Sequence, residues 1–422
     1  MKKFHCDSAP GELIILFYRK NHIAGKFFDL PNISGPEGYL MILERMTENL
    51  DLLGISSSSE YYEAYLVNVG EGEESAKISL IQSDYYRFLI GFFSDGETRY
   101  DVFPETLQDA WKYWNYMNLY ISRNSYYTIS SPTFAGTFSP NNPLYTGMIN
   151  NSSLTTHSPR TVALLDTGID SSLGFTIGNS KNLLSKMHYY YSDGEDDNGH
   201  GTQMAQIIEY MSPKTKFNVY KVCDASGNLK EWSFLSALFC CSNDDSSIIN
   251  MSLEQGITKD RDCGNCGLVL SQVRSATLEE KISDVFSKNK ILIASAGNES
   301  LNELKYPAKV EEVIAICSID SKSELSDFSN FGTDTYKTIG NVTSPHKYVF
   351  AAPGGNRSPL ETVFTANKGY GTSHAAAYAS GALSVLWGNN FTWTNDDVLT
   401  NLLSTYSRVI HTRKGDRRQI EI

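Results

Sequence analysis

Apolar and polar positions change rhythm twice along this chain. Residues 12–19 (ELIILFYR), 61–69, 76–82 and 86–93 are short runs rich in β-branched and aromatic side chains, the signature of strands. In residues 36–53, Leu40, Leu43, Met46 and Leu50 recur at helical spacing, and residues 104–121 carry a second helical pattern. Residues 1–125 thus predict a small α+β domain. Residues 126–157 change character, with Ser, Thr, Asn, Pro and Gly dominating, and predict a linker or extended arm. From Thr161 onwards near-continuous apolar strands alternate with helices. TVALLD, KFNVYKV, SIINMSL, KILIASAGN and VEEVIAICSID are the strands; GTQMAQIIEYM, EWSFLSALFCC, residues 276–288 and TSHAAAYASGALSVLW are the helices. Strands apolar throughout are covered on both faces, so residues 158–422 predict an α/β domain, a mainly parallel sheet with helices on both sides.

In such sheets ligands sit at the carboxyl ends of the strands. Asp166 ends TVALLD, Asn298 ends KILIASAGN, His200 opens its helix, and Ser373 lies where a glycine-rich loop feeds a helix. An acid, an imidazole, a hydroxyl and an amide on one edge form the inventory for acyl transfer. A serine hydroxyl needs a base to take its proton, and an imidazole is mostly free base at neutral pH. A carboxylate fixes the tautomer, and a side-chain amide with a helix N-terminus offers donors for an oxyanion. Singly, each residue also has a bland reading as a cap or a turn.

Together the motifs resemble the subtilisin-like serine proteases, or subtilases. ALLDTGID is similar to the family's aspartate motif, DDNGHGTQMA to its histidine motif and GYGTSHAAAYASG to its serine motif. IINMSL resembles its substrate-binding strand and ILIASAGNES its oxyanion segment. YPAKVEEVIAICSID, SDFSNFG, FAAPG and WTNDDV follow in family order. The resemblance covers residues 158–410 and implies a serine endopeptidase with Asp166, His200 and Ser373 as catalytic residues and Asn298 in the oxyanion hole. By the same resemblance Ser252, Leu253 and Glu254 bind substrate, and Lys305 lies near the base of the same pocket. The glycines flanking His200 are expected to let substrate and serine approach the ring. Gln203 to Gln206 and His374 to Tyr378 depart from the usual motif continuations; His374 is expected to pack and not to act as a base. The rival readings are a silent scaffold on the same fold and an esterase or ligase using the same acyl-enzyme.

The remaining features narrow the picture. A net charge of −12 argues against nucleic acid as a partner, and no run is apolar enough for a membrane span. The basic RKGDRRQ near the C-terminus reads as a solvated tail. The segment between His200 and Lys221 is too short for the calcium loop common in the family. Cys263 and Cys266 give two thiols where zinc needs about four ligands, so neither metal nor cofactor is expected. Seven cysteines and no apolar leader suggest reduced thiols and a cytoplasmic protein. Expected partners are a protein or peptide substrate and a regulatory protein acting with residues 1–125, which hold a prodomain's position.

Overall fold

The computed structural model describes residues 8–19, 26–30, 61–68, 117–129, 158–184, 194–255, 275–332, 334–335, 344–362 and 369–421. The expected elements at 36–53, 76–82 and 86–93, residues 130–157 of the arm, and Cys263 and Cys266 lie outside them. The described residues divide into two compact units. One runs to Ser125 and takes in Ser275–Thr277; the other starts at Tyr126 and holds most of the remaining chain.

In the first unit, strands β1 (Ser8–Arg19), β2 (Lys26–Leu30), β3 (Tyr61–Asn68) and the Met117–Ser125 part of β4 (Met117–Ile129) form one sheet. β3 pairs antiparallel with β1 and parallel with β2, and β4 takes the other edge of β1. Two expectations change here. Residues 117–121 belong to β4 and not to a helix, and the linker does not start at residue 126, because β4 runs on to Ile129. MNLYISRNSYYTI contains β-branched and aromatic residues enough to be a strand; the helical spacing upstream had been extended too far into it.

The second unit is built on a sheet of β5 (Val162–Asp166), β6 (Thr176–Asn182), β7 (Lys216–Lys221), β9 (Ile248–Met251), β11 (Ile291–Ser295), β12 (Val313–Ile319), β15 (Val349–Pro353), β16 (Ser407–Thr412) and β17 (Gly415–Ile420). Its order is β16-β17-β15-β12-β11-β9-β5-β7-β6, parallel except for the β16–β17 hairpin. Short strands β8 (Asn228–Lys230), β10 (Leu253–Gln255), β13 (Asp334–Thr335) and β14 (Ser344–Pro345) lie off this sheet. The helices are α1 (His200–Met211), α2 (Glu231–Asn243), α3 (Ala276–Ser287), α4 (Thr372–Asn389) and α5 (Asn395–Ser404). Alternate strand residues split between the faces. Val162, Leu164, Ile291, Ile293, Ile314 and Ile316 join one cluster with α1, α4 and α5. α2 packs on β5 outside that cluster and is tied to α3 by the Ser242 hydroxyl donating to Asp284 at 2.7 Å. This is the α/β architecture with a mostly parallel sheet flanked by helices.

α4 is buried from Thr372 to Gly388, so it passes through the core and shows no polar stripe. The RKGDRRQ stretch is not a solvated tail. It forms the β16–β17 turn and β17, which pairs with β15, and the Arg418 guanidinium donates to Leu403 O at 2.7 Å. Its charges sit on the turn and on β17, which is paired on both sides, with β15 and with the edge strand β16.

Candidate active site

Strand β5 ends at Asp166 and helix α1 begins at His200, and the two side chains meet. Asp166 Oδ1 is 2.8 Å from His200 Nδ1, both side chains are fully buried, and the same oxygen accepts from Thr167 N–H at 2.7 Å. A carboxylate there makes Nδ1 the protonated nitrogen and leaves Nε2 as the acceptor. Nε2 has no hydrogen-bond partner among the described residues.

Asp196, which sequence reasoning passed over, builds the entrance to α1. Its Oδ1 accepts from Asn198 N–H (3.0 Å), Gly199 N–H (2.7 Å) and the Thr167 hydroxyl (2.8 Å); Oδ2 accepts from Thr202 N–H and hydroxyl at 2.9 and 2.6 Å. Partial burial works against its charge, yet these donors hold its carboxyl below the usual range. Thr167 Oγ1 in turn accepts from Gly201 N–H at 2.9 Å. Asp196 therefore takes the Thr202 N–H and the two N–H groups just before the helix, Asn198 Oδ1 takes the His200 N–H, and the Thr167 hydroxyl joins Asp196 to the residue beside Asp166. Gly201 has a packing role that the sequence did not suggest. A Cβ on Gly201 would stand 2.1 Å from Gly168 O and 3.2 Å from Asp166 Cβ. Gly201 lets the helix close on the strand end, and that closure sets the Asp166–His200 distance.

Ser373 is the second residue of α4 and is fully buried. Its hydroxyl donates to Ser252 O at 3.4 Å, and the Ser252 hydroxyl donates back to Ser373 O at 3.2 Å. Asn250 extends this link. It accepts from the Ser380 hydroxyl at 3.0 Å and donates to Ser252 Oγ at 3.0 Å, so a buried chain of hydrogen bonds fixes the β9–β10 junction to α4. α4 and α1 pack against one another. His374 is fully buried, and burial, with the His200 ring as a lesser influence, lowers it to about 3, so it stays neutral and is too weak a proton acceptor to serve as the base at neutral pH. Asn298 Oδ1 accepts from Thr372 N–H at 2.9 Å and from its hydroxyl at 3.0 Å. That fixes the amide and leaves Nδ2 a donor without a partner among the described residues.

Glu254 lies in β10 at 8% exposure, with Oε2 unpartnered among the described residues. Lys305 does not pair with it: its ammonium stands 4.0 Å from Glu299 Oε2, which also accepts from Asn330 Nδ2 at 2.8 Å. Burial and the neighbouring Glu299, which shares a hydrogen bond with it, push the Glu254 carboxyl well above the carboxylate range, against the pull of Lys305. Glu299 follows Asn298 directly, and that adjacency was the signal for a third charged group here.

Residues 158–419 match the model of the subtilase family. The chain belongs to that family. Subtilisin Savinase from Lederbergia lenta is 25% identical over 253 residues, 58% of this chain and 82% of that protein. An alkaline protease from Alkalihalobacillus alcalophilus is also 25% identical, over 58% of each chain, so this chain spans little more than half of that relative. A minor extracellular protease from Bacillus subtilis is 26% identical over 53% of the chain. The solved structure of Sphericase aligns over 61% of the chain and 86% of its own, at 21% identity and a TM-score of 0.46. The expected cytoplasmic location is overturned by these subtilase relatives, which include an alkaline protease and a minor extracellular protease. Among the described residues no helix is long and apolar enough to cross a membrane, and no group of three or more His, Cys, Asp or Glu could hold a metal ion.

Proposed function

We propose that this subtilase is a serine endopeptidase in which Ser373 attacks the peptide carbonyl, His200 takes and returns the proton, and Asp166 holds the imidazole. The single observation that carries the reading is the buried 2.8 Å Asp166–His200 contact, which leaves Nε2 as acceptor on the helix that packs against the one bearing Ser373. As the serine attacks, negative charge develops on the carbonyl oxygen. The Asn298 Nδ2 donor and the N-terminus of α4 supply fixed dipoles for it. Their fixed placement costs no reorganisation during the step. The peptide runs along Ser252–Glu254, and the Glu254, Glu299 and Lys305 groups set its charge preference. With Lys305 turned to Glu299 and burial disfavouring charge on Glu254, a large uncharged side chain is the one that fits without stranding a charge.

The same reading gives residues 1–125 a regulatory role, with the arm after them as a site of self-cleavage. The support is that the chain leading out of that region, Tyr126–Ile129, pairs with β10 inside the catalytic unit. A direct test incubates the full chain, as wild type and as Ser373→Ala, with an unfolded protein mixture and sequences every new terminus. Wild type should cut the mixture and also its own chain between Ile129 and Pro159. Termini that persist in Ser373→Ala would overturn the assignment.

A further inference from the structure

Ser373 and Ser380 lie two helical turns apart on α4 and so share one face of the helix, about 10 Å apart along its axis. Two side chains from the β9–β10 junction close that gap with a chain of hydrogen bonds. The Ser380 hydroxyl donates to Asn250 Oδ1 at 3.0 Å, Asn250 Nδ2 donates to Ser252 Oγ at 3.0 Å, and the Ser252 hydroxyl donates to Ser373 O at 3.2 Å. Ser373, Ser380, Asn250 and Ser252 are all fully buried. Away from water such a chain is strengthened, and a member left without its partner is costly.

The chain is anchored in the sheet. Asn250 pairs with Ile293 of β11 on one side and with Leu164 of β5 on the other, so its main chain is held and only its side chain can turn. β5 ends at Asp166, just beyond Leu164. Neighbouring strands thus hold the acid directly and the first turn of α4 through Asn250 and Ser252.

The direction of the chain matters. The Ser252 hydroxyl has a single proton, and it goes to Ser373 O while Asn250 presents Nδ2 to Ser252 Oγ. Asn250 keeps that orientation at no cost while Oδ1 has a donor on its other side, and Ser380 is that donor. The Ser380 hydroxyl also lies 2.9 Å from Ala376 O in its own helix, which aims it. Without this hydroxyl Oδ1 is a buried acceptor lacking a donor, and the amide regains one by turning over to the Ser252 hydroxyl. Ser373 O then loses its bond to the β9–β10 junction.

We propose that Ser380 is a positioning residue for the nucleophile: it fixes the polarity of the Asn250 amide and so keeps the first turn of α4 in register with Asp166. This rests on the reading of Ser373 as nucleophile and adds to it a residue that touches neither substrate nor the reacting atoms.

The test compares the full chain as wild type, Ser380→Ala, Ser252→Ala and the double variant, with Ser384→Ala as reference. Ser384 is one turn further along α4 and equally buried, but its hydroxyl donates to Arg160 O at 3.0 Å, away from Asn250. Alanine is the best helix former, so both changes on α4 suit the helix. The readouts are the rate of fluorophosphonate labelling at Ser373 and kcat and KM on fluorescein-labelled casein. Ser380→Ala should label about fivefold more slowly and lose the same factor in kcat, with KM within about twofold, the size expected of one neutral hydrogen bond. Ser252→Ala should lose a similar factor. The double variant should also lose about fivefold, where independent effects would multiply to about 25-fold. Ser384→Ala should label at the wild-type rate. An undiminished rate in Ser380→Ala, multiplied losses in the double variant, or an equal loss in Ser384→Ala would each overturn the positioning role. Absence of Ser373 labelling in wild type overturns the protease reading itself.

Discussion

At the scale of single residues, the site depends on how closely backbones approach. Asp166, His200, Ser373 and Asn298 stand out in the sequence because each proposed role demands a residue type and the motifs come in order; the structure joins Asp166 to His200 and Asn298 to Thr372, the residue before Ser373. Asp196 and Asn250 were not legible. Their work is to satisfy backbone donors and hold hydrogen bonds between elements, which appears only once those elements are in place. The packing role of Gly201 was not legible for the same reason: sequence shows that a side chain is missing, and only packing shows what fills its space. Gly201→Ala should push α1 off the end of β5, because its Cβ would overlap Gly168 O. A misplacement of about 1 Å in such a site costs on the order of 100-fold. The variant is expected to lose that much in kcat while keeping KM within about threefold, which steady-state kinetics on a peptide substrate will read. Unchanged kcat would mean that this approach does not set the histidine.

At the scale of elements, apolar strands and long helices of the catalytic unit followed from periodicity, but edge elements did not. β6 has an exposed and irregular pattern because an edge strand needs only one good neighbour, and β17, next to the edge strand β16, is arginine-rich with Asp416 exposed and Arg417 half-buried. β4 is the instructive miss. Its C-terminal end is polar and turn-like in composition, yet it forms a strand because β8 and β10 both offer it main-chain partners. Tertiary pairing overrides local propensity in such a place.

His346 carries a prediction for the molecule as a whole. It lies between β14 and β15, its Nε2–H donates to Val310 O at 3.0 Å, and its Nδ1 accepts from Tyr348 N–H at 3.1 Å. The ring must be neutral to do both, and burial lowers it to about 4. Between that value and the unfolded value near 6.5, the unfolded chain binds more protons than the folded one. The neutral ring's contribution is therefore complete above about pH 6.5 and is lost as pH falls to about 4, for a total on the order of 3 kcal/mol. Urea midpoints measured from pH 7 to pH 4.5 should fall for wild type and fall less steeply for His346→Gln. Parallel slopes would contradict the buried neutral ring.

The central claim is that Ser373 is a nucleophile activated by His200, and one measurement addresses it most directly. The full chain is treated with a fluorophosphonate probe at neutral pH, digested, and the adduct located by mass spectrometry. The account predicts a single adduct on Ser373, with labelling abolished in Ser373→Ala and slowed by several orders of magnitude in His200→Ala, in line with about 10⁶-fold losses when one member of such a set is removed from a subtilisin. That magnitude is carried over from a relative and is not a property of this chain. An adduct on any other serine, or a His200→Ala protein labelled at the wild-type rate, would contradict the account.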